Sequence, residues 1–389
     1  MGDGVKVETR LQPIPLHADR GISLARGEGC YLWDNQGRRY LDLMTNYGVN
    51  LLGHAHPKVT AAIEHQASTL TNAHQSFDTS VRQEFLDTLA AFLPPSLSRM
   101  SFANSGAEAV EAAMKYTRVT TGRTGIIATH RAYHGRTFGA LSATSDAKYR
   151  DPFMPMLGGA RHVPFDNLPA MEEVIDDSTA AVIIEPIQGE GGIRVPADGY
   201  LKGLRELCTA HGALLICDEI QTGFRTGAPL AFTREGIVPD ILCLSKSIAN
   251  GLPIGVTIVT EAVSEKVPKG SHGGTFSGNP LVCAAGVATL QVLADERLHT
   301  QAAEKGERFQ QRVRDLGLNQ IREVRGRGLL LAVELKKPAT PVIRGMQERG
   351  VLVLPAGGTV IRFLPSILIE DAQLDEGIDV LAEALRQAG

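Results

Sequence analysis

Lys246 follows the apolar run Ile241-Leu242-Cys243-Leu244 with only Ser245 between, and Asp218 directly follows Leu214-Leu215-Ile216-Cys217. Read as buried strands, the two runs bring an amine and a carboxylate to one sheet edge, where open α/β sheets gather their ligands. An amine placed there can condense with an aldehyde to form a Schiff base. A carboxylate ending a buried strand needs a partner, and the protonated ring nitrogen of pyridoxal 5'-phosphate would provide one. Such a pair keeps the ring cationic, so that it withdraws electrons from a substrate carbanion. Alone, a lysine just past a strand is most often a surface residue; Asp218 at the end of the neighbouring run gives the pair its meaning. A third run, Ala181-Val182-Ile183-Ile184, ends in Glu185-Pro186-Ile187-Gln188-Gly189-Glu190-Gly191-Gly192, polar where packing asks for nothing polar.

A cofactor phosphate would need a cradle. Asn104-Ser105-Gly106-Ala107-Glu108 opens an apolar-periodic helix through Val110, Ala113, Met114 and Thr117. Ser105-x-x-Glu108 is a capping box in its own right. Gly106 also lets backbone N–H groups at a helix start approach an anion, which the helix dipole favours. Gly273-Gly274-Thr275 is a second candidate, offering a hydroxyl beside permissive backbone.

These groups need a scaffold. From about residue 80 to 280, helical stretches alternate with short apolar runs, among them Gly125-Ile126-Ile127-Ala128 and Gly255-Val256-Thr257-Ile258-Val259. Runs so uniformly apolar predict strands buried on both faces of a mostly parallel sheet. Residues 30 to 43 read as a hairpin about Asp34-Asn35-Gln36-Gly37, and a helix after Pro57 carries Val59, Ile63, Gln66 and Leu70 on one face. A helix over Leu281 to Leu293 precedes another near 298 to 316, strand-like runs at 329 to 335 and 360 to 364, and helices near 341 to 349 and 371 to 387. That second pattern predicts a smaller α+β unit, joined by the N-terminal hairpin.

Composition narrows the function. The 389 residues are 43% hydrophobic and 21% charged with a net charge of -4, without the basic footprint of a nucleic-acid or membrane-surface binder. No apolar run approaches the roughly 20 residues of a membrane span, and Met1 to Lys6 shows no signal core, which predicts a cytoplasmic protein. The five cysteines, Cys30, Cys208, Cys217, Cys243 and Cys283, form no C-x-x-C pair, so neither a disulfide framework nor a metal site is expected.

Taken together, these segments resemble the class III pyridoxal-phosphate aminotransferases. The resemblance rests on Leu215-Ile216-Cys217-Asp218-Glu219-Ile220-Gln221-Thr222-Gly223 with Lys246 beyond it, on Asn104 to Glu108, on Tyr133-His134-Gly135-Arg136-Thr137, on Glu185 to Gly192 and on Gly274-Thr275-Phe276-Ser277-Gly278-Asn279-Pro280. These blocks stand in the family's order over nearly the whole chain. They imply an α/β PLP-dependent transferase of fold type I. A large PLP-binding domain, residues 52–285, would hold the mostly parallel central sheet; residues 1–51 and 286–389 would form the small α+β domain.

Position by position, the resemblance implies that Lys246 holds pyridoxal 5'-phosphate covalently and later shuttles a proton. Asp218 would pair with the ring nitrogen, Gln221 would bond the phenolic oxygen, and Tyr133 and Ile220 would sandwich the ring. Ser105, Gly106 and Ala107 would hold the phosphate. Thr275 would reach the phosphate of a neighbouring subunit, implying a homodimer with shared sites. Arg136 and Arg362 match the two carboxylate-binding arginines, whose planar forks suit that ligand. Glu190 matches the residue that pairs with the second arginine when no carboxylate arrives, and Tyr47 matches the tyrosine that contacts a donor's distal carboxylate.

The short chain and the stretch Ile321-Arg322-Glu323-Val324-Arg325-Gly326-Arg327-Gly328 resemble the acetylornithine branch, nearest to lysine-biosynthesis enzymes whose substrate rides on a small acidic carrier protein. Three departures bear on the substrate. The segment Thr222-Gly223-Phe224-Arg225-Thr226-Gly227 is one residue shorter than the family's usual loop, Gly274 stands where many members have serine, and Ser245 to Gly251 also resembles the 4-aminobutyrate branch. The implied reaction moves a terminal amino group from acetylornithine, or a carrier-linked lysine or ornithine derivative, to 2-oxoglutarate. Its rivals are 4-aminobutyrate or ornithine transamination, a racemase or aminomutase on the same fold, and a non-catalytic cofactor-binding protein.

Overall fold

A computed structural model describes residues 13–388; the stretch Met1 to Lys6 lies outside them. The N-terminal hairpin forms as expected, with an additional strand before it. Strands β1 (Leu24–Glu28), β2 (Tyr31–Asp34) and β3 (Arg39–Asp42) run antiparallel in sequence order. The following helix, Pro57–Thr69, buries Val59 and Gln66. Leu70 does not share that face: it lies past the helix end and is 43% exposed.

The central sheet has seven strands: β4 (Leu97–Ala103), β5 (Gly125–Thr129), β6 (Ala160–Val163), β7 (Thr179–Ile184), β8 (Leu214–Asp218), β9 (Ile241–Leu244) and β10 (Gly255–Thr260), in the order β4-β10-β9-β8-β7-β5-β6. From β9 to β6 every pairing is parallel, whereas β10 runs antiparallel to both β9 and β4. Every residue of β5, β7 and β9 is buried, which is why these strands read as unbroken apolar runs. The parallel strands all end at one edge, so the loops after β5, β7, β8 and β9 converge there.

Helix Gly106–Thr121 starts beside that edge. Ser105 is its extended N-cap and accepts from the Glu108 N–H at 3.2 Å, while Gly122 ends it at φ 70°. The Glu108 carboxylate bonds the Asn104 N–H at 2.6 Å, so the capping box closes one residue before the cap.

The C-terminal segment adds β11 (Ile321–Arg327), β12 (Leu330–Leu335), β13 (Val351–Leu352), β14 (Leu354–Pro355) and β15 (Val360–Phe363). β13 pairs parallel with β3 and so ties the C-terminal segment to the N-terminal hairpin. The rest form an antiparallel sheet, β11-β12-β15-β14, accompanied by helices Leu298–Asp315, Thr340–Glu348 and Asp371–Ala388. In it Ala332 of β12 lies opposite both Arg325 of β11 and Arg362 of β15, placing the two arginines in one cross-strand row. Among the described residues no helix is long and apolar enough to cross a membrane, and no cluster of metal-ligating side chains occurs. All five cysteines are free and buried.

Candidate active site

The converging loops enclose a cavity of about 140 Å³ at the carboxyl edge of the sheet. Its lining includes Gly106, Ala107, Tyr133, Glu190, Asp218, Ile220, Gln221 and Lys246, with His134, Glu185 and Ser245 between them. Eight of the residues singled out from sequence therefore meet around one space. Ser105 stands beside it as the helix cap. Thr275 does not line it: it is exposed, next to Phe276, which is 64% exposed.

Lys246 is half-buried, in a left-handed backbone conformation at φ 36° just past β9. Burial lowers its ammonium pKa below the ordinary lysine range, only partly countered by Glu190 and Asp218 and reinforced by Arg362. A free amine, the nucleophilic and basic form, is thereby favoured. Asp218 ends β8, and its two oxygens are fixed. Oδ2 lies 2.7 Å from His134 Nδ1, and Oδ1 accepts the Ile220 N–H at 3.1 Å.

His134, which no spacing in the sequence links to Asp218, is the residue that orients it. Burial works against its imidazolium, but the Asp218 carboxylate, aided by Glu185, outweighs burial and raises its pKa. The His134 ring fixes one oxygen of Asp218, which leaves the other edge of the carboxyl group to face the cavity. Glu185 lies in the same cavity and accepts the Tyr133 N–H at 3.1 Å and the Gly189 N–H at 3.0 Å. Burial pushes its pKa up to about 7, against the pull of His134. His134→Leu would leave Asp218 with a single internal donor. The expected cost is about 1–3 kcal/mol of stability, read as a lower thermal midpoint and easier loss of cofactor on dialysis.

The cavity suits a phosphorylated pyridine aldehyde. It presents an amine, a fixed carboxyl group with one edge open to a partner, and the N-terminus of a sixteen-residue helix. Gly106 keeps that terminus open, because a Cβ there would stand 2.8 Å from Ile220 Cδ1. Gly189 serves the opposite wall, where a Cβ would fall 1.9 Å from Gln221 Oε1.

Arg362, Tyr47 and Arg136 do not line this cavity, whereas Glu190 does. Arg362 is completely buried, and its Nη1 donates to Glu190 Oε1 at 2.6 Å and to Gln221 Oε1 at 3.1 Å. Its Nε and Nη2 are buried without a hydrogen-bond partner among the described residues. Burial opposes the charged form of Glu190, but Arg362 and Lys246 overcome it and lower its pKa. The Tyr47 ring stands 5.5 Å from the Arg362 guanidinium. Thr45, Asn46 and Tyr47 all have positive φ, a strained turn held where Asp42 Oδ1 accepts the Met44 and Thr45 N–H groups and Thr45 Oγ1 donates to the Leu364 carbonyl. Arg136 is exposed and stacks 4.6 Å over the Tyr149 ring, which meets Tyr133 edge to face.

The shortened loop after Gln221 is buried and compact. Phe224 takes the left-handed conformation, φ 66°, that a glycine would adopt freely, and its ring packs edge-on against Phe92. Arg225 beside it is fully buried and donates to the Gly48 carbonyl at 2.8 Å, which closes the Tyr47 turn. Burial, with Arg362 nearby, lowers its pKa to about 10. Arginine is so seldom fully buried that no sequence signal marks Arg225 as internal.

Comparison with known proteins finds likeness over nearly the whole chain. The family model described as aminotransferase class-III matches residues 17–385. The chain is 42% identical to the acetylornithine aminotransferase of Methanothermobacter thermautotrophicus, over 94% of each chain. It is 43% identical to the LysW-aminoadipate semialdehyde/glutamate semialdehyde transaminase of Sulfolobus acidocaldarius, over 96% of this chain and 97% of that one. The crystal structure of ornithine aminotransferase from Toxoplasma gondii superposes with a TM-score of 0.91 at 35% identity, covering 96% of this chain and 92% of that chain.

Proposed function

Because the chain belongs to the class-III aminotransferase family, we propose that it transfers the terminal amino group of acetylornithine, or of a lysine or ornithine derivative on a small acidic carrier protein, to 2-oxoglutarate. The products are a semialdehyde and glutamate, within arginine or lysine biosynthesis. The substrate reading draws on what its relatives are named for. It is a pyridoxal-phosphate enzyme, and the cofactor, when bound, supplies an electrophilic aldehyde carbon and a ring that accepts electrons.

The residues divide the work. Lys246 Nζ binds the aldehyde and later moves the proton at the reacting carbon. Asp218, steadied by His134, keeps a proton on the ring nitrogen. Gln221 bonds the ring oxygen, Tyr133 and Ile220 cover the ring, and Ser105, Gly106 and Ala107 hold the phosphate. Tyr47 and Arg136 receive the donor's distal carboxylate.

One observation carries transamination over racemisation: Glu190 on Arg362. An aminotransferase must accept glutamate, with a carboxylate at the reacting carbon, and a terminal-amine donor with none. Arg362 paired to Glu190 suits the amine; Arg362 freed, with two unpartnered nitrogens, suits glutamate. We further propose a cytoplasmic homodimer, divided as residues 52–285 and as 1–51 with 286–389. Thr275, exposed and outside its own chain's cavity, would serve the partner's phosphate.

The test is a visible absorption spectrum of the purified holoenzyme before and after glutamate. The expected result is a yellow band that bleaches with glutamate and returns with 2-oxoglutarate. A yellow protein that glutamate leaves unchanged would favour the isomerase, and a protein that takes up no pyridoxal phosphate would sink the assignment. Turnover of acetylornithine against 4-aminobutyrate then tests Tyr47 and Arg136, with acetylornithine expected to be the better donor.

A further inference from the structure

The Glu190 segment is a small hairpin. Gln188 and Arg194 exchange backbone hydrogen bonds of 3.0 and 3.1 Å, and Gln188 Nε2 ties the near strand to Thr129 Oγ1 and the His130 carbonyl. Two arginines from one row of the β11-β12-β15 sheet hold it. Arg325 and Arg362 both lie opposite Ala332, on the same face and two strands apart, roughly 10 Å at ordinary strand spacing.

The two holds differ in kind. Every nitrogen of Arg325 is engaged: Nη2 donates to the Gly192 carbonyl at 2.6 Å, Nε to Gly192 and Ile193 carbonyls at 3.0 and 3.1 Å, and Nη1 to Glu334 and Glu323 at 2.6 Å each. Glu334 also lies 3.5 Å from Arg194 of the hairpin itself. Arg362 has one nitrogen on Glu190 and Gln221, and two buried nitrogens with no partner among the described residues. A guanidinium with all three nitrogens engaged, two of its bonds being to carboxylates, has little to gain from a new anion. One with two idle donors has much to gain.

We propose that Arg325 is a positioning residue for the exchange at Arg362. It anchors the backbone of the hairpin at Gly192 and Ile193, so that Glu190 gives up Arg362 to a substrate carboxylate by side-chain rotation alone and returns to the same place afterwards. This rests on the reading of Glu190 and Arg362 given above. Lysine at position 325 would keep the cation for Glu334 but not the fork that spans two carbonyls and two carboxylates. The hairpin would then drift, and the Glu190 cover over Arg362 would become unreliable. Loss falls on the substrate that needs the cover, the amine donor, and spares the one that displaces it.

The experiment compares single-turnover half-reactions of the holoenzyme with acetylornithine and with glutamate, alongside calorimetric binding of glutarate. In Arg325→Lys the acetylornithine rate is expected to fall about tenfold, a modest share of what a misplaced group can cost. The glutamate rate should fall less than about threefold, and glutarate should bind at least as tightly as before. Adding Glu190→Gln should make Arg325→Lys silent, since the residue acts through Glu190. Parallel losses in both half-reactions, or losses that multiply in the double variant, would overturn the proposal. If Glu190→Gln alone leaves the ratio of half-reactions unchanged, the exchange itself is wrong, and Arg325 falls with it. Should Arg325→Lys not fold, Glu323→Gln weakens the same anchor from a half-exposed position. A shift of about twofold toward glutamate is then expected, and no shift counts against the proposal.

Discussion

Lys246→Ala is expected to lower turnover by at least about 10⁴-fold while leaving a folded protein. Two contributions vanish together: the amine that forms the covalent link and the base that moves the proton, the latter alone typically worth about 10²–10⁴-fold. Folding should survive for reasons visible at the site. The Lys246 ammonium is disfavoured by burial, so its removal takes away a costly group rather than a stabilising one. Alanine inherits the left-handed backbone that lysine already tolerates there. The checks are a steady-state assay with glutamate and acceptor, and a circular-dichroism melt. Normal turnover in a folded variant would rule out a Schiff base at this position.

Asp218→Asn is expected to reduce the glutamate half-reaction about 10³-fold. Breaking a buried charge pair by removing one partner costs about 3–5 kcal/mol, and each 1.36 kcal/mol in the barrier is tenfold. The substitution keeps the size and one acceptor for the Ile220 N–H but removes the charge that favours protonation of both the ring nitrogen and His134. Because burial then acts on His134 without its counterion, its pKa should drop as well. Stopped-flow absorbance reads the rate, and NMR titration of His134 reads the second effect. An unchanged rate would mean that Asp218 has no electrostatic part in the chemistry.

The interior of the molecule was the readable part. β5, β7, β8, β9 and β10 announce themselves as apolar runs because they are covered on both faces, and the polar residues at the ends of β7, β8 and β9 fall at the cavity. The edges were not readable. β4 carries exposed Ser98 and Arg99, and β6 buries only Val163 of its four residues, so neither shows an unbroken run. The same limit hid the internal cations. Arg225 and Arg325 look like surface residues in sequence; what buries them is a set of carbonyls and carboxylates that distant segments supply. His134 escaped for a related reason, since its partner Asp218 lies on another strand and no spacing links them. Helix Pro57–Thr69 stops one residue short of the expected Leu70, whose extended backbone breaks the periodicity that suggested it.

The cavity at the carboxyl edge also bears on how the chain reaches its native state. Gly106 comes from behind β4, Tyr133 and His134 from behind β5, Glu190 from behind β7, Asp218 from β8 and Lys246 from behind β9, while Arg362 waits on β15. No short contiguous fragment contains the set, and pairing strands so distant in sequence is the slow part of folding. A ligand for this cavity therefore recognises only a completed sheet. Its binding energy enters the balance for the finished molecule alone, about 2.7 kcal/mol when cofactor stands at a hundred times its dissociation constant. Half-assembled chains draw no such support, so the supply of vitamin-derived cofactor sets how sharply the cell's finished copies are separated from the unfinished ones.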